Sequence, residues 1–99
     1  MTRGFKVNLF RIIQEQLNNI AKYAAASQVW IHIDAKKSLL VTVRDDGKGF
    51  DPSVKPKGIG LMNIRNRAEL YEGKMELTSS PGKGCSLSLS FPLSDKKTI

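Results

Sequence analysis

VRDDGKGFDPSVKPKGIGL, residues Val43 to Leu61, leaves an apolar alternation and enters an acidic, glycine-rich turn. It then crosses a proline-containing segment and reaches a second glycine pair that opens a helix. Asp45, Gly47 and Gly49 make the spacing D-x-G-x-G, and Gly58, Gly60 and Leu61 make G-x-G-L. One such signal is ordinary turn chemistry, since hairpins use the same residues for positive-φ geometry. Two in this order, with a polar-flanked helix upstream, define a ligand loop around which the chain is organised.

Upstream, Leu9, Ile12, Ile13, Leu17, Ile20 and Ala24 recur at three- and four-residue steps, so Val7 to Ala26 is predicted to be a helix with one core-facing stripe. Glu15, Asn19, Lys22 and Tyr23 fall on one flank beside that stripe. Two alternating segments follow. In the first, Val29, Ile31 and Ile33 oppose Trp30, His32 and Asp34; in the second, Leu39, Val41 and Val43 share a face with Asp45. They read as strands joined by the turn at residues 35–38. Parity then places the Asp45 carboxylate in the apolar layer at a strand end, with no partner evident nearby in sequence.

Residues 50–57 carry two prolines and no periodicity, which predicts a loop. Leu61, Ile64, Ala68 and Tyr71 mark a second helix with Gly73 as its cap, and Met62 and Met75 read as core. A hairpin over 74–92 closes the sheet. In its second arm Cys85, Leu87, Leu89 and Phe91 alternate with Ser86, Ser88 and Ser90. The order helix, two strands, loop, helix, two strands predicts an α/β (α+β) two-layer sandwich, with the helices on one face of a mainly antiparallel mixed sheet.

Composition bounds the rest. The 99 residues suit one domain, residues 1–99, and 40% hydrophobic with 25% charged content is ordinary for a globular chain. No apolar run approaches the roughly 20 residues of a membrane helix, and the N-terminus has no export signal, so a cytoplasmic domain without membrane contact is expected. Cys85 is the single cysteine and fits a reducing compartment. The net charge of +7 comes from lysines and arginines spread along the chain without interleaved aromatics. That pattern favours a small anionic ligand over nucleic acid.

The ligand's chemistry follows from the parts. A buried carboxylate in an apolar slot suits the exocyclic amine of adenine. Gly58-Ile59-Gly60 at a helix start offers N–H groups and the positive dipole end to phosphates. Asn19 with phosphate oxygens and water suffices for Mg²⁺. Glu15 is placed to accept a proton from an attacking nucleophile, and Lys22 to neutralise phosphate charge.

These segments resemble the catalytic ATP-binding domain of sensor histidine kinases, in the superfamily shared with gyrase-type, chaperone and mismatch-repair ATPases. RIIQEQLNNIAKYAAAS (11–27) is similar to its N box, DDGKGF to its first glycine box (45–49) and GIGLMNIRNRAEL to its second (58–61 at its core). The R-I-x-Q-E opening resembles the nitrate/nitrite-sensor and lipid-desaturase-sensor group. The resemblance spans about residues 11 to 93 and implies the Bergerat fold. It implies Glu15 as general base, Asn19 as magnesium ligand, Lys22 and Tyr23 as phosphate-side contacts and Asp45 as the adenine-binding carboxylate. Gly47, Gly49, Gly58, Ile59, Gly60 and Leu61 would form the nucleotide loops, with residues 50–57 as a lid.

By the same resemblance, ATP and Mg²⁺ are the ligands, a dimerising domain bearing the phosphoacceptor histidine is the partner, and a response regulator acts downstream. That domain is not in this sequence, so one piece of a larger kinase is expected. His32, mid-strand, reads as a surface or structural imidazole. Cys85 stands where relatives often carry Thr. An anti-sigma-factor-like serine kinase, another ATPase module of the superfamily, and a non-catalytic nucleotide-binding module are the alternatives.

Overall fold

The computed structural model describes residues 2–51 and 61–93. The first helix, α1 (Arg3–Asn19), starts four residues earlier than its stripe predicted. Thr2 is its N-cap, the hydroxyl accepting from the Phe5 N–H at 3.1 Å. Helical winding continues through a widened π turn, Ile20–Ala24, and ends where Ala25 adopts a left-handed conformation at φ 52°. The predicted end at Ala26 is therefore two residues too late, because Ala25 has already turned the chain.

Four strands follow in two hairpins: β1 (Val29–Ala35), β2 (Ser38–Asp45), β3 (Lys74–Ser79) and β4 (Cys85–Pro92). Between the hairpins lies α2 (Leu61–Glu69). The sheet order is β1-β2-β4-β3, and every pairing is antiparallel. Among the described residues the sheet is thus antiparallel throughout, where a mixed one was expected. Both helices pack on the same sheet face, giving the two-layer architecture.

The core between the layers consists of Phe5 and Ile12 from α1, Ile64 and Ala68 from α2, and Leu39, Val41, Leu87, Leu89 and Phe91 from the central strands. Phe5 stands edge-on to both Phe91 and Tyr71, with centroids 5.0 and 5.2 Å apart, which extends the core to the helix ends. Burying these side chains is the main stabilising term, about 1.5–3 kcal/mol for each large one. The outer face is polar: Thr42 and Ser88 hydroxyls pair at 3.3 Å, and Arg44 lies over the Trp30 ring. His32 is an exposed residue of β1 facing Thr42 across the pair.

Several side chains depart from the pattern. Leu17 and Met62, expected in the core, are exposed at 36% and 58%. Asn8 and Gln16, by contrast, are buried on α1. Asn8 ties the helices together, donating from Nδ2 to the Arg67 carbonyl at 2.8 Å. Val29, Ile31 and Ile33 lie on the core face by register, opposite Asp45, Val43 and Val41, yet all three are exposed. β1 is an edge strand, and none of its residues belongs to the core cluster between the layers.

Gly73 is not the left-handed residue that ends α2. Glu72 is, at φ 60°. Its N–H donates to the Glu69 carbonyl and that of Gly73 to the Ala68 carbonyl, the paired bonds of a Schellman motif with Glu72 at C′. Gly73 is required for another reason, because a Cβ there would enter the Phe91 ring.

Candidate nucleotide site

β2 ends at Asp45, the last member of the buried row Leu39, Val41, Val43. The carboxylate is only 4% exposed. Its partner is two residues ahead: the Gly47 N–H donates to Oδ1 at 2.7 Å. Sequence inspection missed this bond because it depends on how the glycine turn folds back. It satisfies one lone pair and fixes the carboxylate's orientation, leaving further acceptor capacity.

The turn after Asp45 is clamped on two sides. Toward α1, the Lys48 N–H donates to the Ala24 carbonyl at 2.8 Å, satisfying an orphan acceptor at the helix end. Asp46 Oδ1 accepts from the Ser27 and Gln28 N–H groups at 2.8 and 2.9 Å. These backbone donors, that of Gln28 foremost, hold its carboxyl below the ordinary range despite full exposure. Toward the β3–β4 turn, the Gly82 N–H donates to the Lys48 carbonyl at 2.6 Å and the Phe50 N–H to Ser79 Oγ at 3.0 Å. Ser79 Oγ in turn donates to the Gly84 carbonyl at 2.9 Å. Gly49, at φ 63°, packs where a Cβ would strike the Ser80 carbonyl.

Asp45 opens into a cleft between the layers, lined by Gln16, Asn19, Ile20, Tyr23, Ala24, Gly49, Phe50, Leu61 and Cys85. Its unfilled space is about 380 Å³, mouth included. The walls are mostly apolar, and the polar side chains among them are the Asp45 carboxylate, the Gln16 and Asn19 carboxamides, the Tyr23 hydroxyl and the Cys85 thiol. That combination suits a flat, largely apolar heterocycle bearing a donor group. Burial pushes the Cys85 thiol up to about 11, helped by the neighbouring Asp45 charge and opposed by a Ser79 hydrogen bond. It therefore stays a neutral, inert wall element near pH 7.

Of the residues singled out from sequence, Asn19, Tyr23, Asp45, Gly49 and Leu61 meet in this cleft. Asn19 is 7% exposed and donates from Nδ2 to Gln16 Oε1 at 3.1 Å. Glu15 is half-buried on α1 and Lys22 exposed in the π turn; neither is among the lining residues. Gly47 is buried behind the cleft against Ala24. Gly58, Ile59 and Gly60, with residues 52–57 of the expected lid, lie outside the described residues.

Gln16, Ile20, Ala24 and Phe50 also line the cleft but were not singled out. Gln16 had a legible signal, a polar residue on the apolar stripe at four-residue steps from Ile12 and Ile20. Among the described residues no group of three or more His, Cys, Asp or Glu side chains is placed to hold a metal. A cation here would take its oxygens from Asn19, from a bound phosphate chain and from water, a set that suits Mg²⁺.

Residues 4–95 match the family described as histidine kinase-, DNA gyrase B- and HSP90-like ATPases, and the chain belongs to that family. It is 33% identical over 94 residues to the signal transduction histidine-protein kinase/phosphatase DegS of Brevibacillus brevis, covering 93% of this chain and 24% of that protein. It is 37% identical over 100 residues to an uncharacterized sensor-like histidine kinase of Chloroflexus aurantiacus, covering 91% of this chain and 17% of that one. The chain thus spans about a quarter or less of the length of these relatives.

Among solved structures, the blue-light activated histidine kinase EL346 of Erythrobacter litoralis superposes with a TM-score of 0.76 at 23% identity, covering 93% of this chain and 31% of that one. The Acinetobacter baumannii histidine kinase AdeS gives 0.75 at 15% identity, over 88% of this chain and 46% of that one. Both share the fold.

Proposed function

We propose that this chain is the catalytic ATP-binding module of a sensor histidine kinase, acting in the cytoplasm, and that it transfers the γ-phosphoryl group of ATP to a histidine on a partner dimerisation domain. The observation that carries the reading is the buried Asp45 carboxylate, oriented by Gly47 at the floor of an apolar cleft that also holds Asn19. Its free acceptor capacity suits the adenine amino group, and Ile20, Ala24, Phe50 and Leu61 supply walls for the ring.

In this reading the phosphates extend toward Gly58, Ile59 and Gly60. Tyr23 and Lys22 flank them from the π turn, Asn19 ligates the accompanying Mg²⁺, and Glu15 is the general base that takes the proton of the attacking imidazole. Mg²⁺ would neutralise charge on the transferring phosphoryl group. Relatives named as histidine kinases support the reaction class. A response regulator would receive the phosphoryl group next.

Calorimetric titration with ATP and Mg²⁺ tests the reading, wild type beside Asp45→Asn. The amide keeps an oxygen for the Gly47 N–H, so the turn survives while the charge facing adenine is lost. Binding by the wild type that weakens at least tenfold in the variant is expected. Equal binding by both would remove Asp45 from the adenine site, and binding by neither would overturn the ATP reading.

A further inference from the structure

We infer that Gln16 is a positioning residue that holds the Asn19 carboxamide with its oxygen available to a cation in the cleft. Gln16 is 3% exposed and occupies a stripe position between Ile12 and Ile20, one turn from each. An apolar side chain would fill that place without the cost of burying an amide. The amide does have a specific engagement: its Oε1 accepts from Asn19 Nδ2 at 3.1 Å, one turn further along the helix. Both side chains line the same cleft.

The two ends of a carboxamide are chemically opposite. Only the carbonyl oxygen ligates Mg²⁺; the NH₂ group repels it. Asn19 is itself buried, so water does not select its orientation freely. Because the group is planar, anchoring Nδ2 on Gln16 Oε1 turns Oδ1 to the other side, and flipping the Asn19 amide alone would set two carbonyl oxygens against each other. Gln16 thereby acts as the outer partner of a metal ligand, a type of contact whose loss typically weakens metal binding ten- to a hundredfold.

The inference rests on the proposed reading in which Asn19 holds Mg²⁺, and the experiment separates the two. Binding of a non-hydrolysable ATP analogue to the chain is titrated against Mg²⁺ for wild type, Asn19→Ala, Gln16→Met and Gln16→Glu, with melting temperatures as the folding control. Gln16→Met keeps the shape and loses the acceptor. Its Mg²⁺ requirement is expected to rise about tenfold, a larger change than any in its binding without Mg²⁺. Gln16→Glu keeps an acceptor oxygen and is expected to retain the wild-type Mg²⁺ requirement within about threefold.

A wild-type Mg²⁺ response in Gln16→Met, alongside its loss in Asn19→Ala, would overturn the inference and leave the Asn19 reading intact. A silent Asn19→Ala would overturn both. If Gln16→Met does not fold, a folded Gln16→Glu that has lost the Mg²⁺ response overturns the acceptor role by itself, and one that retains it upholds that role.

Discussion

Gly47 lies directly against Ala24. A Cβ on Gly47 would meet the Ala24 carbonyl and come within 2.8 Å of its Cβ, and the next residue's N–H, that of Lys48, donates to that same carbonyl. The first glycine of the turn therefore serves helix docking, while Gly49 reaches the cleft itself. Gly47→Ala is expected to destabilise the chain by up to roughly 3 kcal/mol, the upper end of the range for overpacking a closed contact. Gly82, where a Cβ meets open space, supplies the comparison: Gly82→Ala carries only the strain of its positive φ, about 1–2 kcal/mol. Denaturant melts of both variants check this, and equal losses would refute the docking role.

The end of α2 offers a stabilising change. Glu72 holds the left-handed C′ position of the Schellman motif, a conformation that costs an L-residue about 1–2 kcal/mol. Glu72→Gly removes that strain and regains part of it as stability, with an expected rise of roughly 0.5–1 kcal/mol after the entropy of the added glycine. Gly73→Ala should do the reverse and cost several times as much, because the methyl would lie 2.6 Å from Phe91 Cδ1. Thermal unfolding of the two variants with opposite signs is the check.

Two side chains beside the cleft set pH limbs of opposite sense. The Asp46 carboxyl is held below its ordinary value by the Gln28 and Ser27 N–H groups, so its contribution is complete above the unfolded pKa, about 3.9, and is lost as pH falls through the folded one. The stability gap between wild type and Asp46→Asn should close on acidification below about pH 4. Cys85 runs the other way: its pKa is raised to about 11, so the contribution is present below the ordinary value of 9.0 and is lost as pH climbs from there toward 11. Alkylation of the folded chain should accordingly be slow at pH 8 and accelerate toward pH 11. An alkylation midpoint near 9 would contradict this.

Legibility varied with the kind of information. The strand carrying Leu39, Val41, Val43 and Asp45 was readable because side-chain direction alternates strictly along a strand, and burial follows that parity to the last residue. α1 was readable from its apolar spacing except at the ends. The Thr2 cap and the Ala25 reversal depend on single-residue backbone geometry, which periodicity does not record. Asn19 and Asp45 were identifiable as separate polar residues on predicted elements. Gln16 was legible only as a polar residue on an apolar stripe, since its meaning comes from a hydrogen bond inside a buried wall.

The chain's own order of residues determined the element types, the buried row that ends in a carboxylate and the membership in an ATPase family, since each is a property of local spacing. Tertiary structure decided which polar groups meet. It brought α1, the glycine turn and the β3–β4 turn together around Asp45, gave that carboxylate its Gly47 donor, and left β1's apolar face uncovered. The reason is physical: periodicity reports which side of an element is apolar, but the neighbour that covers that side is selected only when the layers pack.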